Sequence, residues 1–320
     1  MKLLFDCAGG DHAPEAIIEG AYLAKEKLGI TPYFVGNSEI LRPLIQKEEE
    51  NHIFEATEVI ENTDDPAVSI RRKPNSSTVV GLKALASGEV DGFLSAGSTG
   101  ALLAGGLFIV KRLDGVKRAA LPVLLPNKNG KTLVLDSGAN MDTDPELLVS
   151  FAEMGKAYLE NVLGIDNPRI GLLNVGTEEG KGDKRAQETF QLLKESDWNF
   201  IGNVEGRDIF SGNVDVVIAD GFSGNIALKT AEGVVEYLLG AMQKNMAKAD
   251  LAPEVMLQIK TLLGSIFHDL DYNKQGGVPL LGLKKPVVKA HGSSNGEAIY
   301  NGAAVLAKMI ESNMIEKMSI

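Results

Sequence analysis

A chain of 320 residues, 44% hydrophobic and 23% charged, has an ordinary globular composition and enough length to bury a large core, as one broad α/β domain or two lobes. The balance of 32 Lys plus Arg against 43 Asp plus Glu leaves a formal net charge of −11, which repels polyanions unless basic groups cluster locally and so excludes nucleic acid as an expected partner. The single cysteine, Cys7, excludes an internal disulfide and a multi-cysteine metal cluster, and fits a reducing cytosol.

The run Lys2 to Asp6 reads as a strand with no secretory pattern, and it leads into Cys7-Ala8-Gly9-Gly10-Asp11-His12. Further strands are expected over 32–36, 53–56 and 91–95, the last running into Ala96-Gly97-Ser98-Thr99-Gly100. The apolar stretch Ala101 to Val110 falls well short of the roughly 20 residues needed to cross a bilayer, so membrane contact is expected to be peripheral. Strands over 132–136, 169–174 and 214–219 each end in another small-residue turn: Ser137-Gly138-Ala139-Asn140, Val175-Gly176-Thr177-Glu178 and Gly221-Phe222-Ser223-Gly224-Asn225. A short strand over 199–201 lies between the last two, and a final one is expected over 286–290.

From Ala231 to about Tyr272 no strand pattern interrupts two helical stretches, Glu232 to Lys248 and Pro253 to Leu270, hinged at Ala249-Asp250-Leu251-Ala252. Apolar stripes, Val234, Val235, Leu238, Leu239 and Met242 in the first and Val255, Met256, Ile259, Leu262, Leu263, Ile266 and Phe267 in the second, predict a helical hairpin. It is expected to pack on its own core or on a second subunit, with a hydrophobic tip suited to a lipid surface. The chain is therefore predicted to be a single α/β domain over 1–320, a three-layer, mainly parallel sheet with a protruding helical hairpin at 231–272.

In an open parallel sheet, strand-to-helix turns gather at the carboxyl ends of the strands, where ligands bind near a switch in strand order. Glycine lets backbone approach a ligand, and a helix starting after it offers free N–H groups and the positive end of its dipole, an arrangement that suits phosphate. For any one loop the glycines are explained by the turn alone; their repetition at five strand ends points to a shared anion site.

Several familiar chemistries are excluded by spacing. No G-x-G-x-x-G follows the first strand, so a standard dinucleotide enzyme is not expected. Gly176 to Lys181 is one residue short of a nucleotide-hydrolase phosphate loop, and Gly182 rather than Ser or Thr follows the lysine. Gly292-Ser293-Ser294-Asn295-Gly296 matches the hydrolase pattern G-x-S-x-G, yet no histidine follows Ser294. The four histidines, His12, His52, His268 and His291, have no metal-binding spacing, and no metal is expected. Cys7 reads as a small buried residue rather than an acyl-carrying thiolate.

Taken together, Gly9 to Pro14, Ser95 to Ala101, Leu135 to Asn140, Leu173 to Glu178 with Lys181-Gly182, Asp220 to Asn225 and Lys289 to Ser294 resemble, in order and across nearly the whole chain, the bacterial phosphate acyltransferase family called PlsX. The resemblance implies a fold similar to isocitrate and isopropylmalate dehydrogenases and to phosphate acetyltransferase. It also implies a homodimer that reversibly transfers a long acyl group from acyl carrier protein to inorganic phosphate, giving acyl phosphate for phospholipid synthesis, with no cofactor. A cytoplasmic enzyme peripherally associated with the membrane follows, with the downstream membrane glycerol-phosphate acyltransferase as a further partner.

On that reading phosphate is itself the nucleophile, so the protein positions it and stabilises charge on the thioester carbonyl. Lys181 and Asn225 are the expected catalytic residues: Lys181 neutralises phosphate or oxyanion, and Asn225 donates its amide to the carbonyl oxygen. An asparagine in that position could equally be a helix N-cap. Backbone around Gly97, Ser98, Thr99 and Gly100, and from Gly138 to Asn140, is expected to hold phosphate, with Asp11, His12 and His291 shaping the site and Gly176 and Asp220 completing it. Acidic carrier protein needs a local basic surface, for which Arg71-Arg72-Lys73 and Lys111-Arg112 with Lys117-Arg118 are candidates. Two alternatives stand: a short-chain phosphate acyltransferase using coenzyme A, and a non-catalytic membrane-associated scaffold for lipid enzymes.

Overall fold

The computed structural model describes residues 1–249, 253–268 and 276–318. Its strands are β1 (Lys2–Asp6), β2 (Thr31–Gly36), β3 (Ile53–Glu55), β4 (Gly92–Ser95), β5 (Val123–Asn127), β6 (Gly130–Leu135), β7 (Ile170–Leu173), β8 (Phe200–Val204), β9 (Val216–Ile218), β10 (Val278–Pro279) and β11 (Val287–Lys289). Its helices are α1 (Glu15–Leu28), α2 (Ser38–Leu41), α3 (Pro66–Arg72), α4 (Ser77–Ser87), α5 (Thr99–Gly105), α6 (Pro145–Tyr158), α7 (Lys184–Lys194), α8 (Gly221–Lys248), α9 (Pro253–His268), α10 (Gly296–Glu311) and α11 (Met314–Lys317).

The strands form two sheets where one was expected. The first has the order β10-β11-β4-β1-β2-β3 and the second β5-β6-β9-β7-β8. All pairings are parallel except β10 with β11 and β5 with β6. Those two antiparallel strands are the ones the sequence pattern does not disclose. β10 is only two residues long, and β5 carries Pro126, a residue tolerated at a sheet edge, where its missing N–H breaks no ladder. Central strands are buried on both faces, as parallel strands under covering helices must be: Leu3, Leu4 and Phe5 of β1 and Leu133, Val134 and Leu135 of β6 are all essentially inaccessible.

One hydrophobic cluster joins the sheets, containing Phe5 and Val288 from the first together with Leu133, Leu135 and Phe151 from the second unit. Among the parallel strands of each sheet the order reverses once. β2 and β3 lie to one side of β1 and β4 to the other; β8 lies to one side of β7 and β9 to the other. The carboxyl ends of β1/β4 and of β7/β9 are thus the two crevices where ligands bind in such folds.

Most βα turns are closed by an acidic or amide N-cap that accepts a backbone N–H three residues on, as Asp65, Asp144, Asp183, Asp220 and Asn295 do. α8 is longer than the sequence pattern suggested. It starts at Gly221 and continues without a break to Lys248, so the helix that begins in a strand-end turn is the one that carries the apolar stripe outward. Val234, Tyr237 and Leu238 on α8, and Val255 and Leu257 on α9, are exposed. The expected hinge residues Asp250, Leu251 and Ala252, and Leu270 to Tyr272, lie outside the described residues. No helix among the described residues is long and apolar enough to cross a membrane.

Candidate active site

Three strands close on aspartate at or just past their last residue, and each carboxylate organises a different turn. Asp6, fully buried at the end of β1, accepts the Ser95 hydroxyl at 2.7 Å and the Ala8 N–H at 3.1 Å. Burial pushes its pKa above the ordinary value, against the pull of those hydrogen bonds. The turn after β4 sits directly on the turn after β1: a Cβ on Gly9 would lie 2.6 Å from the Gly97 nitrogen, so only glycine permits the approach. The Gly97 N–H is itself donated to the Ser95 hydroxyl at 3.0 Å.

Asp136 does more. Its Oδ1 accepts N–H groups from Leu121, Ser137 and Ala139 at 3.0, 2.9 and 3.3 Å, and its Oδ2 accepts both the backbone and the side-chain nitrogen of Asn140 at 2.6 and 3.0 Å. Burial raises this carboxyl above its ordinary pKa despite those donors. The turn after β6 is folded around the one side chain, and the Gly138 N–H is left with no acceptor among the described residues. Asn140 is buried and spends its amide on Asp136 and on the Ala119 carbonyl at 2.9 Å; its role is to hold the turn.

Asp220 caps α8 by accepting the Ser223 N–H at 2.9 Å and the Ser223 hydroxyl at 2.8 Å, and it pairs with Arg185 at 2.9 Å. With Asp220 as the cap, Asn225 lies a full turn inside the helix, which removes the capping alternative for it. α8 rests on the end of β6 so closely that a Cβ on Gly224 would stand 2.0 Å from the Asp136 carbonyl oxygen. That contact brings Asn225 to Gly138, where a Cβ would lie 3.7 Å from the asparagine Oδ1. Unlike that of Asn140, the side-chain amide of Asn225 makes no hydrogen bond with any described residue.

Between the two sheets lies a cavity of about 1320 Å³. Ser137, Gly138 and Asn225 contribute to its wall from the second sheet, and Thr99, Lys289 and His291 from the first. Away from these polar groups the wall is mainly apolar, with Val123 and Leu125 of β5, Ile209, and Leu228, Val235 and Leu239 along α8, and Lys229, Glu232 and Glu236 of the same helix also border it. From Asn225 to Leu239 the helix rises about 20 Å at roughly 1.5 Å per residue, so the wall is long as well as greasy.

Lys289 is the residue that the sequence motifs contained without revealing its place. It ends β11 after two fully buried valines, and its ammonium donates to the Ala96 carbonyl at 3.1 Å and to the Ala290 carbonyl. Burial lowers its pKa to about 8, with Asp6 and Asp11 acting in the opposite direction. The signal available beforehand was a lysine closing an otherwise apolar strand immediately before a Gly-rich turn.

Lys181 stands elsewhere. Its side chain is about half exposed, its ammonium is 3.9 Å from Glu178, and it forms no part of the cavity wall. Its carbonyl accepts the Asn174 amide at 3.1 Å, and a Cβ on Gly176 would touch its side-chain methylenes at 3.2 and 3.3 Å. This turn adjoins Asp220 through Arg185, at the β7/β9 crevice. Ser98 caps α5, accepting the Ala101 N–H at 3.5 Å, and Gly100 packs on Pro66. Asp11 and His12 line a second, smaller depression of about 570 Å³ with Glu15, Glu19 and Asn295. His291 accepts the Ser293 N–H at 3.2 Å, while Ser294 is only 3% exposed, which removes it as a hydrolase nucleophile. Cys7 is buried, and burial pushes its thiol pKa up, away from thiolate chemistry.

Two sheets with helices on their faces and a cavity between them, with donors at one end and a mainly apolar wall beyond, define an α/β protein with a site for a ligand part polar and part apolar. Comparison with known proteins agrees. A family model described as "Fatty acid synthesis protein" matches residues 1–317. A phosphate acyltransferase of Caldanaerobacter subterraneus subsp. tengcongensis is 45% identical over 98% of this chain and 95% of its own length; one of Bacillus licheniformis is 46% identical over 98% and 96%. The chain belongs to the phosphate acyltransferase family, PlsX, and is an enzyme. The fold is shared with a phosphotransacetylase from Streptococcus pyogenes, at a TM-score of 0.64 and 20% identity over 97% of this chain and 94% of that one. It is shared too with a branched-chain phosphotransacylase from Enterococcus faecalis, at 0.59 and 15% over 97% and 99%.

Proposed function

We propose that this enzyme moves a long acyl group from acyl carrier protein to inorganic phosphate, reversibly, and so supplies acyl phosphate to phospholipid synthesis. The observation that carries this reading is the cavity in which donors without a protein partner adjoin a long, mainly apolar wall. Its volume of about 1320 Å³ exceeds the roughly 300–1,000 Å³ of sites for drug-sized ligands, as an extended chain requires.

In the reaction a phosphate oxygen forms a C–O bond to the thioester carbonyl carbon. The C–S bond then breaks, and the departing thiolate takes a proton to become the carrier's free thiol. Nothing covalent is asked of the protein; positioning and charge stabilisation suffice. Asn225 donates its amide to the carbonyl oxygen as it becomes negative, beside the Gly138 N–H. Lys181 acts from the adjoining turn on the charge of the approaching phosphate.

The finer assignments belong to the same proposal. The fold is that of the isocitrate and isopropylmalate dehydrogenase group. The chain works as a cytoplasmic homodimer, with Val234, Tyr237 and Leu238 of α8 exposed as a face for the second subunit. α9, with exposed Val255 and Leu257, meets the membrane peripherally, where the product passes to a membrane glycerol-phosphate acyltransferase. Carrier protein docks on a basic surface, Arg71-Arg72-Lys73 or Lys111-Arg112 with Lys117-Arg118.

Hydroxylamine trapping of acyl phosphate tests the proposal. With acyl carrier protein as donor and phosphate as acceptor, acyl hydroxamate accumulates only when both are present; a phosphate-dependent product from acyl-coenzyme A but not from the carrier identifies the coenzyme A reading, and none with either donor identifies the scaffold. Rising salt raises the Michaelis constant for the carrier if docking is electrostatic, and a constant that ignores salt contradicts the docking surface.

A further inference from the structure

Lys289 is the most buried cation in contact with the cavity, and no role so far described uses it. An ammonium group has three N–H donors. Two are taken by the Ala96 and Ala290 carbonyls, and among the described residues no carboxylate lies within 4.0 Å of it to form an ion pair. Taking a charged amine out of water without a paired anion is unfavourable, and proteins retain such groups chiefly where chemistry needs them. The remaining donor belongs to a side chain in the cavity wall.

Two further donors without a protein acceptor border the same cavity from the other sheet: the Gly138 N–H, left over after Asp136 has taken its neighbours, and the Asn225 amide. A cation from the first sheet and two neutral donors from the second thus line one cavity. We infer that Lys289 binds the phosphate substrate directly, its ammonium contacting a phosphate oxygen within the cavity, opposite Gly138 and Asn225. The inference rests on the phosphate half of the proposed function and adds a catalytic residue to it.

Charged groups surround the site on several sides. Asp6 from β1 and Asp11 from the following turn act on Lys289, His291 follows it in the chain, and Lys229, Glu232 and Glu236 of α8 border the cavity. Deprotonation of Lys289, whose pKa burial lowers to about 8, removes the positive charge. Phosphate binding is therefore strongest below that pH and falls as pH rises through it. A Lys289→Arg variant keeps its charge throughout this range, so any pH dependence it retains belongs to the other groups.

The test is titration of the folded enzyme with inorganic phosphate alone, by calorimetry, for the wild type, Lys289→Met and Lys289→Arg, with thermal melts to verify folding. Loss of one charge-assisted hydrogen bond predicts about a 10- to 100-fold weaker phosphate affinity in Lys289→Met. Lys289→Arg is expected to restore most of the affinity and to abolish the fall above about pH 8. Wild-type affinity in folded Lys289→Met overturns the inference, as does a wild-type affinity flat from pH 7 to 9.5; if Lys289→Met does not fold, the Lys289→Arg profile decides alone. A wild type that binds phosphate but yields no acyl hydroxamate refutes the acyl-transfer reading while leaving Lys289 in place.

Discussion

Two lysines end up at carboxyl edges of the two sheets, and their surroundings differ in almost every respect. Lys181 lies on the turn after β7, about half in solvent and 3.9 Å from Glu178. Lys289 closes β11 between the sheets, held by two carbonyls, with its pKa lowered to about 8. In water a charge is screened and its partner contributes little; in a dry cleft the same charge acts strongly on whatever anion reaches it. What separates the two residues is burial, and burial is set by which strands pair.

Amides repeat the comparison. Asn140 and Asn225 lie within one small region, yet Asn140 gives its side chain to Asp136 and Ala119 while Asn225 gives its to nothing described. Asn225 is only partly buried and is not among the buried side-chain groups left without a partner, so its amide is open to the cavity, and in the proposed function the ligand takes it.

The contrast can be broken in several ways. The largest effect is expected from Asn225→Ala. Removal of an oxyanion donor lowers turnover by about 10²–10³-fold, and the acyl hydroxamate assay on a folded variant reads it; near-normal turnover takes Asn225 out of the mechanism. Next comes Asn140→Ala, which strips the Asp136 carboxylate of a buried partner and destabilises the fold by about 1–3 kcal/mol. It is read as a lower midpoint in urea, whereas a change in turnover alone, at unchanged stability, would assign Asn140 to the substrate. The smallest effect belongs to Lys181→Ala, about fivefold or less in turnover and shrinking further with added salt, because the side chain is exposed. A salt-independent loss as large as that of Asn225→Ala would reverse the ranking of the two regions.

Much of the fold was readable because parallel strands announce themselves. Leu3-Leu4-Phe5 and Val216-Val217-Ile218 are apolar runs ended by turn residues, and buried strands need nothing more to be recognised. β5 and β10 escaped because an edge strand with a proline and a two-residue bridge leave no periodic trace. The division into two sheets was hidden for the same reason. It depends on where β4 and β9 insert among earlier strands, a matter of long-range pairing.

At the candidate site the turns were legible and the donors' duties were not. Gly97, Gly138 and Asn225 stand out by type, but only the folded turn reveals that the Gly97 N–H is consumed by Ser95 and that Asp136 consumes every N–H around Gly138 except its own. Likewise Asp11 and His12, which follow β1 closely, turn toward a separate depression. A helix start or glycine turn predicts that donors exist; which remain free is a property of the whole packing.

The most direct test of the central claim is a crystal structure of the enzyme with inorganic phosphate bound. The anion is expected in the cavity between the sheets, within hydrogen-bonding distance of the Lys289 ammonium and of the Gly138 N–H or the Asn225 amide. Phosphate seated instead on the Lys181 turn beside Asp220, with the inter-sheet cavity holding only solvent, would contradict it.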